Sequence, residues 1–171
     1  KGPGMMWDRF RKAIESSGGQ LRLRSEVTRI CLEKGRVLRV VSREDGEERE
    51  FPARELISSI PISTLVSMLD PKAPEEVCEA ARKLSYRSFL IVVLVVEKRE
   101  VFRDQWIYVH GPEVRVGRIQ NFKNWSAAMV PDPDKTSLGM EYFCDEGDQV
   151  WRMPDEDLRE LASSELAELG L

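Results

Sequence analysis

Apolar residues recur at helical spacing between Met5 and Ser17, with Met6, Trp7, Phe10, Ala13 and Ile14 on one stripe. Gly18-Gly19 stops that pattern. Alternation then replaces it. Leu21 and Leu23 alternate with polar neighbours, and Val27, Ile30 and Leu32 lead to the turn Glu33-Lys34-Gly35. Val37, Leu38, Val40 and Val41 read as the next strand, Asp45-Gly46 as a tight turn, and Glu47 to Phe51 as a short return strand. The first third of the chain is therefore a helix, a strand and an antiparallel meander. Glu55 to Ile60 reads as a small buried strand ending at Pro61, after which proline at the first helical position starts a helix over 62–69.

Ala73 to Leu84 is a second amphipathic pattern, with Val77, Ala80, Ala81 and Leu84 on one side. The run Phe89 to Val96 is rich in β-branched residues and has no polar alternation, the pattern of a central strand covered on both faces. Strands around 106–109, 114–120 and 137–143 would complete a sheet, and a final helix over 155–169 should pack across it. The fold class is α+β. A helix-plus-meander piece spans about 1–61, and a mixed sheet with packed helices spans 62–171.

Composition narrows what the chain does. It has 171 residues, 42% of them hydrophobic, enough for one domain or two small ones with a real core. With 30 acidic against 26 basic residues, no excess of positive charge exists to grip nucleic acid. No apolar run is long enough to span a membrane. Cys31, Cys78 and Cys144 are odd in number and far apart, as expected of reduced thiols and apolar fillers in a cytoplasmic protein. A single histidine, His110, and the absence of CxxC, HExxH, GxSxG and P-loop spacings leave no metal site or self-contained hydrolytic machinery to expect. The opening Lys1-Gly2-Pro3-Gly4 without methionine fits a fragment of a larger protein, the alternative being an N-terminus left by removal of a tag.

Three stretches concentrate unusual chemistry. Gly2-Pro3-Gly4-Met5 lets a backbone come close to a ligand, or is a plain loop before a helix. Ser58-Ser59-Ile60-Pro61 leaves room beside a strand end, or simply stops a strand. Arg118 to Trp125 mixes two cations, amide side chains and two aromatic rings. Gln120, Asn121, Lys123 and Trp125 are candidates to line a substrate pocket, the alternative being a connecting loop that satisfies its own backbone. His110 beside Gly111-Pro112 reads as a turn residue, Asp145 to Asp148 as a solvated acidic turn, and Trp151 and Met153 as core.

The order of these stretches resembles part of the FAD-dependent amine oxidase, protoporphyrinogen oxidase and phytoene desaturase superfamily, whose parent fold is α/β. The resemblance rests on Gly2-Pro3-Gly4-Met5, the helix ended by Gly18-Gly19, Leu21 to Leu23, Glu26-Val27-Thr28-Arg29-Ile30 and Ser58-Ser59-Ile60-Pro61. It implies that residues 1–61 are part of an FAD-binding domain and 62–171 part of a substrate-binding domain. It also implies that the main chain of Val27 meets the adenine end of FAD. Ser59, Ile60 and Pro61 would then lie near the cofactor, and Gly2, Gly4 and Met5 near the flavin or the substrate cavity. The sheet after Tyr86 would roof that cavity. Ser88 to Val93 carries no lysine where many amine oxidases have one, so the resemblance leaves the substrate open.

The implied function is a fragment of an FAD-dependent oxidoreductase whose parent moves a hydride equivalent from a small organic substrate to flavin. A UDP-galactopyranose mutase-like activity and a non-enzymatic binding module are the alternatives. No residue stands out as a catalytic acid or base. A pyrophosphate needs a glycine-lined turn at a helix N-terminus, which this sequence lacks, so the fragment by itself is expected to bind FAD weakly or not at all and to self-associate. Titration of the purified chain with FAD checks this: saturable binding at low micromolar concentration contradicts the expectation.

Overall fold

A computed structural model describes residues 2–171. Its contacts form two compact units, one of Arg11–Ser85 and one of Tyr86–Leu171 together with the chain up to Phe10. The division falls inside helix α1 (Gly4–Ser16). That helix forms where its apolar stripe predicts, and it ends with Gly18 at φ 82° while the Gly19 N–H donates to the Ile14 carbonyl. No residue of α1 is buried, and Trp7 and Phe10 lie exposed.

In the Arg11–Ser85 unit, β1 (Ser25–Glu33), β2 (Arg36–Glu44) and β3 (Glu47–Pro52) form the expected antiparallel meander. Both hairpin turns, Lys34-Gly35 and Asp45-Gly46, have positive φ at their two central residues, the twist that matches paired strands. After α2 (Ile62–Ser67), the two-residue β4 (Leu69–Asp70) lies parallel to β1 at Ile30 and Cys31, and α3 (Glu75–Arg82) follows. Ile30, Cys31 and Val41 are buried. Two expectations fail here. Leu21 to Leu23 is irregular, and Glu55 to Ile60 is an exposed segment without regular structure, with Ile57 100% exposed. A strand needs a neighbour for its main-chain groups. Beside β1 that place is taken, for two residues only, by β4.

In the second unit, β5 (Ser88–Val96), β6 (Trp106–Tyr108), β7 (Arg118–Asn121) and β8 (Thr136–Cys144) pair in the order β5-β8-β7-β6. Every pairing in this sheet is antiparallel. The parallel contact expected of this half occurs instead in the meander sheet, at β1–β4. The short α4 (Phe122–Trp125) follows β7, and α5 (Asp155–Glu168) closes the chain. The fold class is α+β, with two four-stranded sheets, one of them mixed.

Helix α5 covers one face of the second sheet. Its Ala162 and Leu166 join Val116, Ile119, Leu138 and Met140 in one core. From the same helix Glu165 accepts hydrogen bonds from the Arg115 N–H (2.7 Å), the Val116 N–H (3.1 Å) and the Tyr142 hydroxyl (3.0 Å). Because that carboxylate takes the main-chain donors of Arg115 and Val116, these residues leave the ladder and the strand expected over 114–120 shortens to β7, with Gly117 still bonded to Val109 and Glu141 on either side. The strand β5, apolar from Phe89 onward, is not central. It forms a sheet edge, and its odd positions Phe89, Ile91, Val93 and Val95 are 44–63% exposed. Trp151, expected in the core, is also exposed.

Burial, reinforced by the Glu165 charge, pushes the Tyr142 hydroxyl well above the ordinary tyrosine range. A group raised in the folded state stabilises it fully below the unfolded value and loses that contribution as pH climbs past it. Urea midpoints of the native chain should therefore fall steeply above about pH 10. Tyr142→Phe should cost about 1 kcal/mol at neutral pH and flatten the alkaline fall.

Candidate functional site

Strand pairing defines which side chains share the uncovered face of the second sheet. Phe89, Ile91, Val93 and Val95 of β5 lie beside Ser137, Gly139, Glu141 and Phe143 of β8, then Arg118 and Gln120 of β7, then Trp106 and Tyr108 of β6. Two glycines let aromatic rings lie flat on this surface. A Cβ at Gly139 would meet Phe122 at 2.9 Å, and one at Gly117 would meet Phe143 at 2.7 Å. Trp106 stacks on Trp125 with centroids 5.2 Å apart and planes 16° from parallel, and Tyr108 stacks on His110 at 6.3 Å. The result is a pavement of rings. Such a surface suits a flat ligand.

A polar cluster sits within that pavement. Glu141 is 0% exposed. Arg118 donates from Nε to its Oε2 at 2.7 Å and brings Nη2 to the same oxygen at 2.5 Å, while Gln120 Nε2 donates to Oε1. Both carboxylate oxygens are thus engaged from above, as a buried charge requires. The guanidinium lies between the Tyr108 ring (5.6 Å) and the Phe143 ring (5.9 Å), and Nη1 reaches the Tyr108 hydroxyl at 3.3 Å. The hydrogen bond to Glu141, ahead of that to Tyr108, holds the arginine proton more firmly than usual.

The sequence candidates distribute unevenly. Gln120 and Trp125 stand on the open face. Asn121 is buried with the opposite side of β7, where its amide donates to the Phe102 carbonyl and its side-chain oxygen caps α4 at the Asn124 N–H. The Lys123 ammonium is committed to the carbonyls of Arg99 (2.8 Å), Pro133 (2.5 Å) and Lys135 (2.9 Å), closing a loop. Gly2, Gly4 and Met5 form the entry to α1, where a Cβ on Gly2 would come 4.0 Å from Met129. Val27 lies on β1 opposite Ser42, just before a bulge. On the other edge of β1 no described strand pairs with 25–29. Ser59, Ile60 and Pro61 are exposed; the Ile60 N–H turns to Ser58 Oγ at 3.4 Å, and the Pro61 carbonyl accepts the Leu65 N–H at 2.9 Å as α2 begins. An unpaired strand edge presents main-chain donors and acceptors to whatever lies beside it.

Glu141 and Tyr108 escaped sequence reasoning. The signal was present for the first of them: it is the single charged residue within the otherwise uncharged run Ser137 to Cys144, and a lone carboxylate in such a run is buried with a partner. The acidic turn is a folded one. Asp148 accepts the N–H groups of Trp151 (2.9 Å) and Asp145 (3.0 Å), which hold its carboxyl below the usual range. A separate cleft of about 210 Å3 lies between α2 and α3, but its Arg82 is engaged by Glu75 at 3.0 Å.

Fold and face together define the class, an α+β protein of two four-stranded sheets with one aromatic-paved sheet face left open. The chain belongs to the family of flavin-containing amine oxidoreductases, whose model matches residues 1–171. No curated protein sequence matches it. Among solved structures it resembles reduced UDP-galactopyranose mutase, with 18% identity and a TM-score of 0.71 over 94% of this chain and 34% of that one. A protein from Pyrococcus furiosus is similar at 15% identity and a TM-score of 0.72, over 95% of this chain and 38% of the other. A redesigned putrescine oxidase matches at 18% identity and a TM-score of 0.63, over 90% of this chain and 32% of its own. The chain thus spans about a third of the length of these structures.

The ion pair gives a direct test of the site's construction. Arg118→Met leaves Glu141 covered and unpaired, and should destabilise the chain by about 3–5 kcal/mol. Arg118→Met combined with Glu141→Gln should recover most of that loss, as read from urea denaturation.

Proposed function

We propose that this chain forms the substrate-facing wall, and part of the cofactor cradle, of an FAD-dependent oxidoreductase. The parent enzyme would take a hydride equivalent from a small organic substrate. Family membership supports the flavin, and the open ring-paved face with its covered carboxylate carries the substrate-wall assignment. FAD, when bound, supplies the two-electron acceptor. The protein's own part is positional. The main chain at Val27 would meet the adenine edge, Ser59 to Pro61 would border the cofactor, and the Gly2 to Met5 segment would line the approach to the cavity. Residues 1–61 would then serve the cofactor and 62–171 the substrate.

On the sheet face, the rings of Phe122, Phe143, Tyr108 and Trp106 would exclude water, while Gln120 and Arg118 orient the polar end of the substrate. A sugar-nucleotide mutase has to neutralise a diphosphate, for which a cluster of cations is the fitting arrangement. Arg118 is the one cation among the sheet positions of this face, and Lys123 is spent on carbonyls, so the oxidoreductase reading is the better supported. The three free thiols suit a cytoplasmic location.

The full-length protein should purify with the visible absorbance bands of a flavin. Ser59 is exposed, so Ser59→Trp leaves the fold intact while filling the space beside the proposed cofactor border. It should lower FAD retention by about tenfold or more, measured by equilibrium dialysis. A colourless full-length protein that FAD fails to saturate would refute the reading.

A further inference from the structure

The open face presents its charges in a fixed vertical order. Glu141 lies at the bottom with no exposure, and both its oxygens are covered by Arg118 and Gln120. Arg118 lies above it with 28% of its side chain open to solvent. Nε and one N–H of Nη2 face Glu141, and one N–H of Nη1 faces the Tyr108 hydroxyl. A guanidinium has five N–H donors. Two therefore remain, one on each terminal nitrogen, and they lie beside the Tyr108 O–H in a floor of aromatic rings. Gln120 gives its amide N–H to Glu141, which leaves its carbonyl oxygen unclaimed by that pair. A ligand on this surface meets donors with positive charge first, and never touches the carboxylate.

We infer that this face selects a flat aromatic or conjugated substrate bearing a carboxylate. Arg118 and the Tyr108 hydroxyl would bind the anion, and Glu141 would act as a positioning residue beneath them. This rests on the reading of the face as a substrate wall and names the substrate class. A cationic amine is disfavoured at this position, since the carboxylate that could receive it is already covered and an arginine stands in its way. An aromatic floor by itself favours a cation over an anion. A preference for the anion therefore reports the donors of Arg118 and Tyr108.

Equilibrium dialysis of this chain against 2-naphthoate and against 2-naphthylmethylamine tests the inference, since the two probes share one ring system and differ in the sign of the charge. Saturable binding of naphthoate is expected, about tenfold tighter than the amine, as one charge-assisted hydrogen bond provides. The doubly substituted Arg118→Met, Glu141→Gln chain, with its fold checked by circular dichroism, should lose most of the preference for naphthoate and keep only what the Tyr108 hydroxyl supplies. If that chain fails to fold, Tyr108→Phe takes its place and should weaken naphthoate several-fold while leaving the amine unchanged. Equal affinity of the native chain for the two probes overturns the inference. So does absence of binding to either, or a preference that loss of Arg118, or Tyr108→Phe where it stands in, leaves undiminished. Flavin content of the full-length protein is read independently by absorbance, so a colourless protein would defeat the proposed function without touching this result.

Discussion

Glu165 reaches from α5 to the sheet and accepts three hydrogen bonds at once, from two consecutive main-chain N–H groups and from the Tyr142 hydroxyl. A buried carboxylate tolerates its position only when such donors surround it. Meeting that requirement locks the helix against one side of the sheet and pulls Arg115 and Val116 out of the ladder. It also sets Gly117 where the Phe143 ring can lie over it. One helix covers one face. The other face is left to its own side chains, and its chemistry follows from that.

That remaining face manages two opposed demands. Its apolar strand β5 would ordinarily be covered, and its carboxylate Glu141 would ordinarily be wet. Rings settled on Gly117 and Gly139 supply a flat floor, while Arg118 and Gln120 satisfy the carboxylate from above. The arrangement is asymmetric because a carboxylate can be roofed by donors, whereas a guanidinium, with five N–H groups, retains donors after two partners are served. A neutral pair by count thus presents a positive surface. The same logic separates Lys123 from Arg118: three carbonyls consume the ammonium's three protons and take it out of the site.

Much of the architecture was legible along the chain. The stripe of α1, the two hairpins with their Lys34-Gly35 and Asp45-Gly46 turns, and the helices after Pro61 and near the C-terminus all formed where spacing and turn chemistry placed them. These are local properties. A residue with positive φ, or an apolar repeat at helical spacing, needs little from distant chain. The aromatic members of the site, Phe122 and Trp125, were legible for a similar reason, since they fall in one short stretch with Arg118 and Gln120.

Other features depended on partners far away in sequence. Composition could not say whether Phe89 to Val96 lies in the middle of a sheet or at its edge, because both positions suit β-branched residues and only the neighbouring strands distinguish them. Glu55 to Ile60 carried strand-like residues but found no ladder to join. Asn121 and Gln120 are adjacent and chemically alike, yet the two-residue period of a strand sends one to the core and the other to the open face. By itself the sequence determined which segments turn, coil or extend, along with the inventory of charges and rings. The tertiary structure decided which of those charges is buried and which faces outward. Pairing across β6, β7 and β8 brings Tyr108, Arg118 and Glu141 together over more than thirty positions of chain, and no local pattern encodes that meeting.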